Sequence, residues 1–315
     1  MTDDSERRIE YELFLRKFVL VAPPNEIIRQ VTRSIEELSV EAGGVIFEKG
    51  EAPRNVYFIV EGEVELAGDD AVLKFGRGDV IGVIDAGARR PHLRTARATT
   101  AVLLFTLPYA DWLDSLEDHP EFSSRVRRSL ANAIHVERLR GGGNGGFPLP
   151  PPDDSLGLLA DSVLTRLLSL REVDAFSTAS VQALTELSEK ARTVHATQGQ
   201  LVFPPGAAAD KILVVLAGEV HAERRVAPAL AARFGRNQLV LEGAAFGEEI
   251  RTYAISALVD CSIIVIEQTD IDDVTEDHFD LFTSILRAVT LERERLRVQM
   301  SRAASAPPQL ASRND

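Results

Sequence analysis

Two short stretches of the chain carry residue types suited to holding an anion beside a hydroxyl group. RRPHLRTA (89–96) crowds Arg89, Arg90, His92 and Arg94 into one loop, followed by Thr95 and Arg97. AFGEEIRTYA (245–254) sets a carboxylate, Glu248, three residues before an arginine, Arg251, just after Gly247. A guanidinium presents several N–H donors in a fixed plane and suits a phosphate. A carboxylate is a charged acceptor for a sugar hydroxyl, and backbone N–H groups at a helix start strengthen the hold on an anion.

Both stretches lie at the same place in a unit that occurs twice. GGVIFEKGEAPRNVYFIVEGEVEL begins at Gly43 and GQLVFPPGAAADKILVVLAGEVHA at Gly199. Gly43, Phe47, Gly50 and Gly62 of the first match Gly199, Phe203, Gly206 and Gly218 of the second at identical spacing. Glycines at strand ends, with two-residue alternation between them (Tyr57, Ile59; Val64, Leu66), predict tight turns in a closed β-roll. Each copy runs on to an alanine-led strand, from Ala98 and from Ala257, and then to an acidic helix.

Helices flank the rolls. The spacing of Phe122, Val126, Leu130 and Ile134 predicts one over 121–140, and 155–170 reads as another with Ser155 as N-cap. A third places Phe279, Phe282, Leu286 and Val289 on one face and ends near Val298. Between the halves, GGGNGGFPLPPPDD (141–154) joins a flexible glycine run to stiff polyproline. The expected architecture is α+β: two antiparallel, jelly-roll-like β-roll domains, each flanked by helices and joined by a Gly/Pro-rich linker. The first domain with its N-terminal helices takes 1–140, the linker 141–154, the second domain 155–302 and a disordered tail 303–315.

Composition narrows the function class. The 315 residues are 45% hydrophobic and 26% charged with a net charge of −13, which disfavours general association with nucleic acid or anionic membranes. One cysteine, Cys261, precludes an intrachain disulfide and fits a reducing, cytoplasmic setting. The N-terminus lacks the apolar core of a signal peptide, and no apolar run approaches the ~20 residues of a membrane span. The six histidines are scattered, with no HxH or HExxH spacing, and neither a GxSxG elbow nor a P-loop is present, so no catalytic residue and no metal ligand set is expected. Cys261 in an apolar strand reads as an inert core thiol, and Trp112 as a packing residue.

The glycine and aromatic pattern, YFIVEGEVEL followed by FGRGDVIG and VLLFTL, strongly resembles the cyclic nucleotide-binding domains of the superfamily that includes the bacterial catabolite activator and the protein kinase A regulatory subunit. The resemblance covers about 35–140 and 165–300. It implies a phosphate-binding cassette between two strands, reading F-G-E, a short helix, then P-R-[ST]-A. In the family the glutamate accepts from the ribose 2′-hydroxyl, and the arginine and helix-start N–H groups hold the cyclic phosphate.

Each copy departs from that pattern. From Gly82 to Ala98 the first has full-length spacing, but Val83 stands at the glutamate position, His92 at the arginine and Leu93 at the Ser/Thr. Losing both polar partners would cost roughly 1–3 kcal/mol per hydrogen bond. Arg94-Thr95-Ala96 supplies an arginine two residues late, about 6–7 Å along a strand. The basic group 89–97 then reads as a solvated loop, or as a seat for another anion or an acidic partner. In the second copy Phe246-Gly247-Glu248 and Arg251 fit, but Gly247 lies six residues closer to Ala257 than Gly82 does to Ala98. The expectation is a lost cassette helix, with Glu248 and Arg251 forming an exposed pair worth about 0–1 kcal/mol.

Nothing after Met300 is long enough for the family's DNA-binding helix-turn-helix, so DNA is not an expected partner. Arg7-Arg8 has the paired arginines of a kinase pseudosubstrate, but the same segment reads as a helix turning Ile9, Phe14 and Phe18 to a core. The reading is a non-enzymatic regulatory or scaffold protein, working through a protein partner, with no cofactor. The alternative is a sensor for a cyclic nucleotide or other anion, with Gly247, Glu248, Arg251, Gly82, His92, Arg94 and Thr95 as candidate ligand-binding residues. The stripe on the last helix either forms a homodimer or folds back on the β-roll.

Overall fold

The computed structural model describes residues 11–14, 23–69, 71–141, 161–226, 230–247 and 252–305. A helix α1 (Asn25–Val31) leads into eight strands: β1 (Glu36–Val40), β2 (Val45–Phe47), β3 (Asn55–Glu61), β4 (Val64–Ala67), β5 (Val72–Phe75), β6 (Val80–Ile81), β7 (Thr95–Ala98) and β8 (Val102–Pro108). A five-residue helix α2 (Val83–Gly87) separates β6 from β7. The strands form two antiparallel sheets, β1-β8-β3-β6 and β2-β7-β4-β5, whose inner faces bury Phe47, Ile59, Val64, Ala96 and Leu104. α3 (Tyr109–Glu117) and the long α4 (Pro120–Gly141) follow.

The second domain opens with α5 (Val163–Glu172) and α6 (Val181–Lys190). The described N-cap of α5 is Ser162, whose hydroxyl accepts from the Thr165 N–H at 3.1 Å. Ser155, expected in that role, and most of the expected linker lie outside the described residues. Seven strands follow: β9 (Arg192–Ala196), β10 (Leu201–Phe203), β11 (Lys211–Ala217), β12 (Val220–Arg224), β13 (Leu230–Phe234), β14 (Ala254–Ala257) and β15 (Cys261–Glu267). They pair as β11-β15-β9 and β10-β14-β12-β13. α7 (Gln268–Asp277) and α8 (Phe279–Ser305) end the described chain. α8 runs through Ser305, so residues 303–305 of the expected tail continue the helix.

The repeat glycines do what their positions imply. Gly62 and Gly218 take φ of 84° and 79° in the turns after β3 and β11. A Cβ on Gly62 would drive into the Ala101 carbonyl oxygen, and one on Gly218 into that of Asp260. Gly62→Ala is therefore expected to destabilise the first domain by about 1–3 kcal/mol from backbone strain alone. Thermal unfolding followed by Trp112 fluorescence would read this as a lower midpoint. Gly76→Ala, where an added methyl meets nothing within 4 Å, is the matched control.

The two domains share cores through their long helices. α4 sends Ala131 and Ile134 into the helical core of the second domain. In return α8 sends Phe282 and Leu286 into a cluster of the first domain that holds Tyr11, Phe14, Phe58, Phe105 and Phe122. Tyr11 and Phe14 both set their rings edge-on to Phe105, at 4.6 and 5.3 Å. Ile9 and Phe18, expected beside them, lie outside the described residues. The α8 stripe, with Phe282, Leu286 and Val289 buried and Phe279 packed beside them, folds back on its own chain, the second of the two alternatives read from the sequence. Among the described residues no helix is long and apolar enough to cross a membrane.

Candidate functional site

The first cassette is closed by internal ion pairs. Gly82, at φ 85°, turns the chain from β6 into α2; a Cβ there would lie 2.7 Å from the Asn55 carbonyl oxygen. Asp85 on α2 accepts from Arg90 Nε at 2.7 Å and faces His92 Nδ1 at 3.2 Å. Burial pushes the Asp85 carboxyl up, but the hydrogen bonds from His92 and Arg90 outweigh it and hold the group below the usual carboxylate range. The His92 ring stacks on Phe47 at 3.8 Å between centroids, and its backbone bonds Gly50 and Glu51.

Arg90 Nη2 donates to Glu294 Oε2 at 2.6 Å, and Arg94 Nη1 donates to Glu294 Oε1. The Arg94 and Glu294 side chains are 5% and 9% exposed. The expectation of a solvated basic loop fails for these residues, because a carboxylate from the far end of the chain fills the loop. It holds for the exposed Arg89, while Arg97 donates to the Gly43 carbonyl. The Thr95 hydroxyl is taken by the Lys49 N–H at 3.1 Å.

The second cassette corrects the expectation of a shortened site. Its register follows from paired backbone bonds. Ile59 N–H donates to Asp79 O at 3.0 Å, and Val215 N–H to Gln238 O at 3.0 Å; Gly78 N–H donates to Ile59 O at 2.8 Å, and Asn237 N–H to Val215 O at 2.7 Å. The Asp79 side chain accepts from Gly76 N–H, and that of Gln238 from Gly235 N–H. Phe58 pairs Val80 as Val214 pairs Leu239, so Leu241 is the counterpart of Gly82. At the far end, Val64 pairs Ala98 and Val220 pairs Ala257. Leu241 to Ala257 therefore spans the same sixteen positions as Gly82 to Ala98.

The helix is present too, as a 3₁₀ segment at Glu242–Phe246 in place of α2. Leu241 takes the left-handed conformation at φ 68°, which costs a side-chain-bearing residue about 1–2 kcal/mol. Burial of its side chain in the second roll's core offsets this. Gly247 caps the 3₁₀ segment in extended conformation and is not the cassette glycine. At the position after the left-handed residue, where the family has glutamate, stands Glu242. Arg251 remains at the arginine position by count; Glu248 and Arg251 both lie outside the described residues. The signal that fixes this register was in the sequence: Phe75-Gly76-Arg77 corresponds to Phe234-Gly235-Arg236.

The space beside the second cassette is uneven: about 330 Å³ opens between Gln238, Leu239, Gly243, Ala288 and Glu292 on the α8 side, and less lies at Tyr253. Tyr253, in register with Arg94, is buried in the roll and meets His135 of α4 edge-on at 5.9 Å. A cavity of about 40 Å³ is left between Asn132, His135, Lys211, Leu241, Ala245 and Tyr253.

α8 binds both cassettes through neighbouring residues. While Glu294 holds Arg90 and Arg94, Glu292 accepts from the Gly243 N–H of the 3₁₀ segment and from Arg138 of α4, with Arg138 Nε at 3.0 Å. The Arg138–Glu292 pair is 2% and 3% exposed. Farther along, Glu137 holds Arg293 Nε at 3.1 Å and Arg297 Nε at 3.6 Å. Neither Glu292 nor Glu294 was a candidate from sequence, since nothing in the spacing links them to loops some fifty and two hundred residues away.

Elsewhere Cys261 is buried and its thiol is pushed up to about 11 by burial, far from nucleophilic range. Trp112 packs edge-on to Phe122 at 6.2 Å. The described residues contain no group of three His, Cys, Asp or Glu placed to hold a metal.

Two β-rolls of one design, each with a short helical insertion before its penultimate strand, define a tandem regulatory-type β-roll protein. The family model described as "Cyclic nucleotide-binding domain" matches residues 37–119 and 193–278, more than half of the chain, and the chain belongs to that family. Among curated relatives, patatin-like phospholipase domain-containing protein 6 of Pongo abelii is 27% identical over 46% of this chain and 11% of its own length. A cyclic nucleotide-gated potassium channel of Rhizobium etli is 31% identical over 32% of this chain and 28% of its own. The chain thus spans only a small part of either relative. Among solved structures, the regulatory domain of Toxoplasma gondii protein kinase A with cAMP aligns at 15% identity and TM-score 0.33, over 96% of this chain and 98% of that one.

Proposed function

We propose that this chain is a non-enzymatic regulatory module that acts through a protein partner, and that in the described state its two cassettes are closed against cyclic mononucleotides. The observation that carries this reading is the engagement of both cassettes by one helix, Glu294 at the first and Glu292 at the second. Between Leu241, Tyr253 and α4 the second cassette offers about 40 Å³, less than the roughly 300–1,000 Å³ of an ordinary ligand pocket; the larger cavities beside the cassettes, about 330 Å³ at Gly243 and Glu292 and about 210 Å³ at Val83 and Ile84, are walled by α8. An exposed pair one turn apart on α5, Leu164 and Leu168 at 64% and 57% exposure, supports a protein contact. A buried single cysteine fits a cytoplasmic setting.

Calorimetric titration of the full-length chain with cyclic AMP and cyclic GMP is expected to give no saturable heat and no rise in unfolding temperature. A bound ligand would add stability as RT ln(1 + [L]/Kd), so saturable micromolar binding would sink the closed reading. One observation favours the alternative, a sensor working through the second domain: a full-length cassette with Glu242 and Arg251 at the family positions. Under that reading, binding would be lost on Glu242→Gln and retained on Arg94→Gln.

A further inference from the structure

β3 turns Tyr57 and Ile59 into the first roll and Val56 and Phe58 outward, toward the helices. Between that outward face and α8 lies a cavity of about 210 Å³. Val56, Val80, Val83 and Val126 wall it together with Trp112 and, from the second domain, Leu286. An apolar cavity of about 150 Å³ stays dry and takes up a benzene-sized molecule, so this one admits an aryl ring or an alkyl chain. An empty cavity of this kind costs stability in proportion to its volume, and a ligand that fills it recovers that cost.

Cations line the same cavity. Arg293 and Arg297, one turn apart on α8, both reach it. Each turns its Nε to a single carboxylate, Glu137, at 3.1 and 3.6 Å. Among the described residues their Nη groups meet no hydrogen-bond acceptor. Asp79, the one carboxylate in the lining, accepts from the Gly76 N–H at 2.9 Å. Burial and the neighbouring Arg293 lower the Arg297 pKa against the opposing pull of Glu137 and Asp79, so this guanidinium is short of negative charge.

The counterpart in the second domain differs in charge. By strand register Asn237, Gln238, Leu239 and Gly243 stand where the first domain has Gly78, Asp79, Val80 and Ile84, and about 330 Å³ opens beside them. There Asp174 and Glu292 face a single arginine, Arg295. The pairing of an apolar wall with a surplus of guanidinium is particular to the first.

We propose that this cavity binds a hydrophobic carboxylic acid, a medium-chain fatty acid or an arylalkanoic acid, with its apolar body between β3, Trp112 and Leu286 and its carboxylate on the Nη groups of Arg293 and Arg297. Because the lining comes from both domains, the bound acid ties α8 to the first roll. The site lies outside the roll interior, and its occupancy does not depend on the cassettes being closed.

Trp112, the only tryptophan, stands in the cavity wall and reports occupancy. The test titrates the full chain, below micelle-forming concentrations, with decanoate, decanol and a decanoate carrying a terminal bromine, whose heavy atom quenches an indole in contact with it. Saturable quenching of Trp112 is expected from the bromo acid, and a rise in unfolding temperature from decanoate. Decanoate is expected to bind roughly tenfold or more tightly than decanol, since hydrogen bonds to a charged group are the stronger ones. Arg297→Gln is expected to remove most of that preference while leaving decanol binding unchanged, a split that general loss of structure does not give. Val126→Phe, which fills the cavity, is expected to abolish the quenching; if that variant does not fold, the Arg297→Gln comparison still decides. Absence of saturable quenching, or quenching that survives Val126→Phe, would overturn the site. Equal affinities for acid and alcohol in wild type, or parallel loss of both in Arg297→Gln, would overturn the proposal as well. Failure of the closed reading is a separate result, seen as cyclic nucleotide binding by wild type.

Discussion

Glu292→Gln is expected to undock the two domains at a cost of about 3–5 kcal/mol, the usual penalty for removing one partner of a buried ion pair. Glu292 and Arg138 are nearly inaccessible to water, and the carboxylate also accepts from the Gly243 N–H. Glutamine retains the shape and can still take the N–H, so what it removes is charge. That weakens the charge compensation of the desolvated Arg138 guanidinium. The cost is bounded by the docking free energy, because Arg138 returns to water once α4 and α8 part. Hydrogen exchange along α8 and a lower urea midpoint would register the change.

The paired replacement Arg138→Met/Glu292→Met is expected to recover most of the loss, since well-packed apolar residues often match a buried ion pair in stability. A double-mutant cycle would return a coupling energy of about 2–3 kcal/mol, at the upper end for residues in direct contact. Additive single-variant effects would show instead that the pair is not desolvated in solution. The cycle also isolates charge from the first cassette, where Arg90 and Arg94 keep their own carboxylate.

How far the sequence carries depends on the range of the interaction. The repeat was legible because its glycines obey local backbone sterics: Gly43, Gly50, Gly62, Gly199, Gly206 and Gly218 all take positive φ. The alternation read at Tyr57 and Ile59 was only half the picture, because β3 buries both faces, Tyr57 and Ile59 in the roll and Val56 and Phe58 under the helices. The cassettes were less legible. Phe246-Gly247-Glu248 matches the family motif by composition, but the strand register places that glycine six positions late, where it ends a helical turn. A leucine in the left-handed residue's place hid the true register, and Glu242 with it.

The interdomain wiring was not legible at all. Arg127, Arg138, Glu292 and Glu294 sit in helices whose charge density reads as a solvated face, and only tertiary contact reveals that they point inward. The same contact settled the α8 stripe, which is indistinguishable in sequence from a dimerisation surface. What it covers is the first domain's aromatic cluster, through Phe282 and Leu286.

Arg127→Met is expected to split unfolding into two transitions. Among the described residues Arg127 has the largest of the most deeply buried side chains, and it lies on the first domain's α4 while donating to three acceptors of the second. It donates to Phe246 O at 3.2 Å, Gln268 Oε1 at 3.0 Å and Asp272 Oδ1 at 2.7 Å, and stands 5.8 Å from the centre of the Phe246 ring. Methionine fills part of the volume but supplies no donor. The Phe246 carbonyl and Gln268 are then short of a partner at the interface. Gln268 also donates to the Ala245 and Gly247 carbonyls, at 3.1 and 2.7 Å, so the loss reaches the second cassette directly. Asp272 keeps Arg128 and Ser124 and some water, which reduces the docking penalty to about 2–4 kcal/mol, below that for a fully buried pair. Arg127→Lys is expected to recover only a fraction, because an ammonium cannot reproduce the planar fork of donors. The only tryptophan, Trp112, belongs to the first domain, so its fluorescence follows that domain while far-UV circular dichroism follows both. In wild type the two signals are expected to change together, and in Arg127→Met to separate. Coincident transitions in the variant would mean that the shared apolar cores dock the domains without help from this arginine.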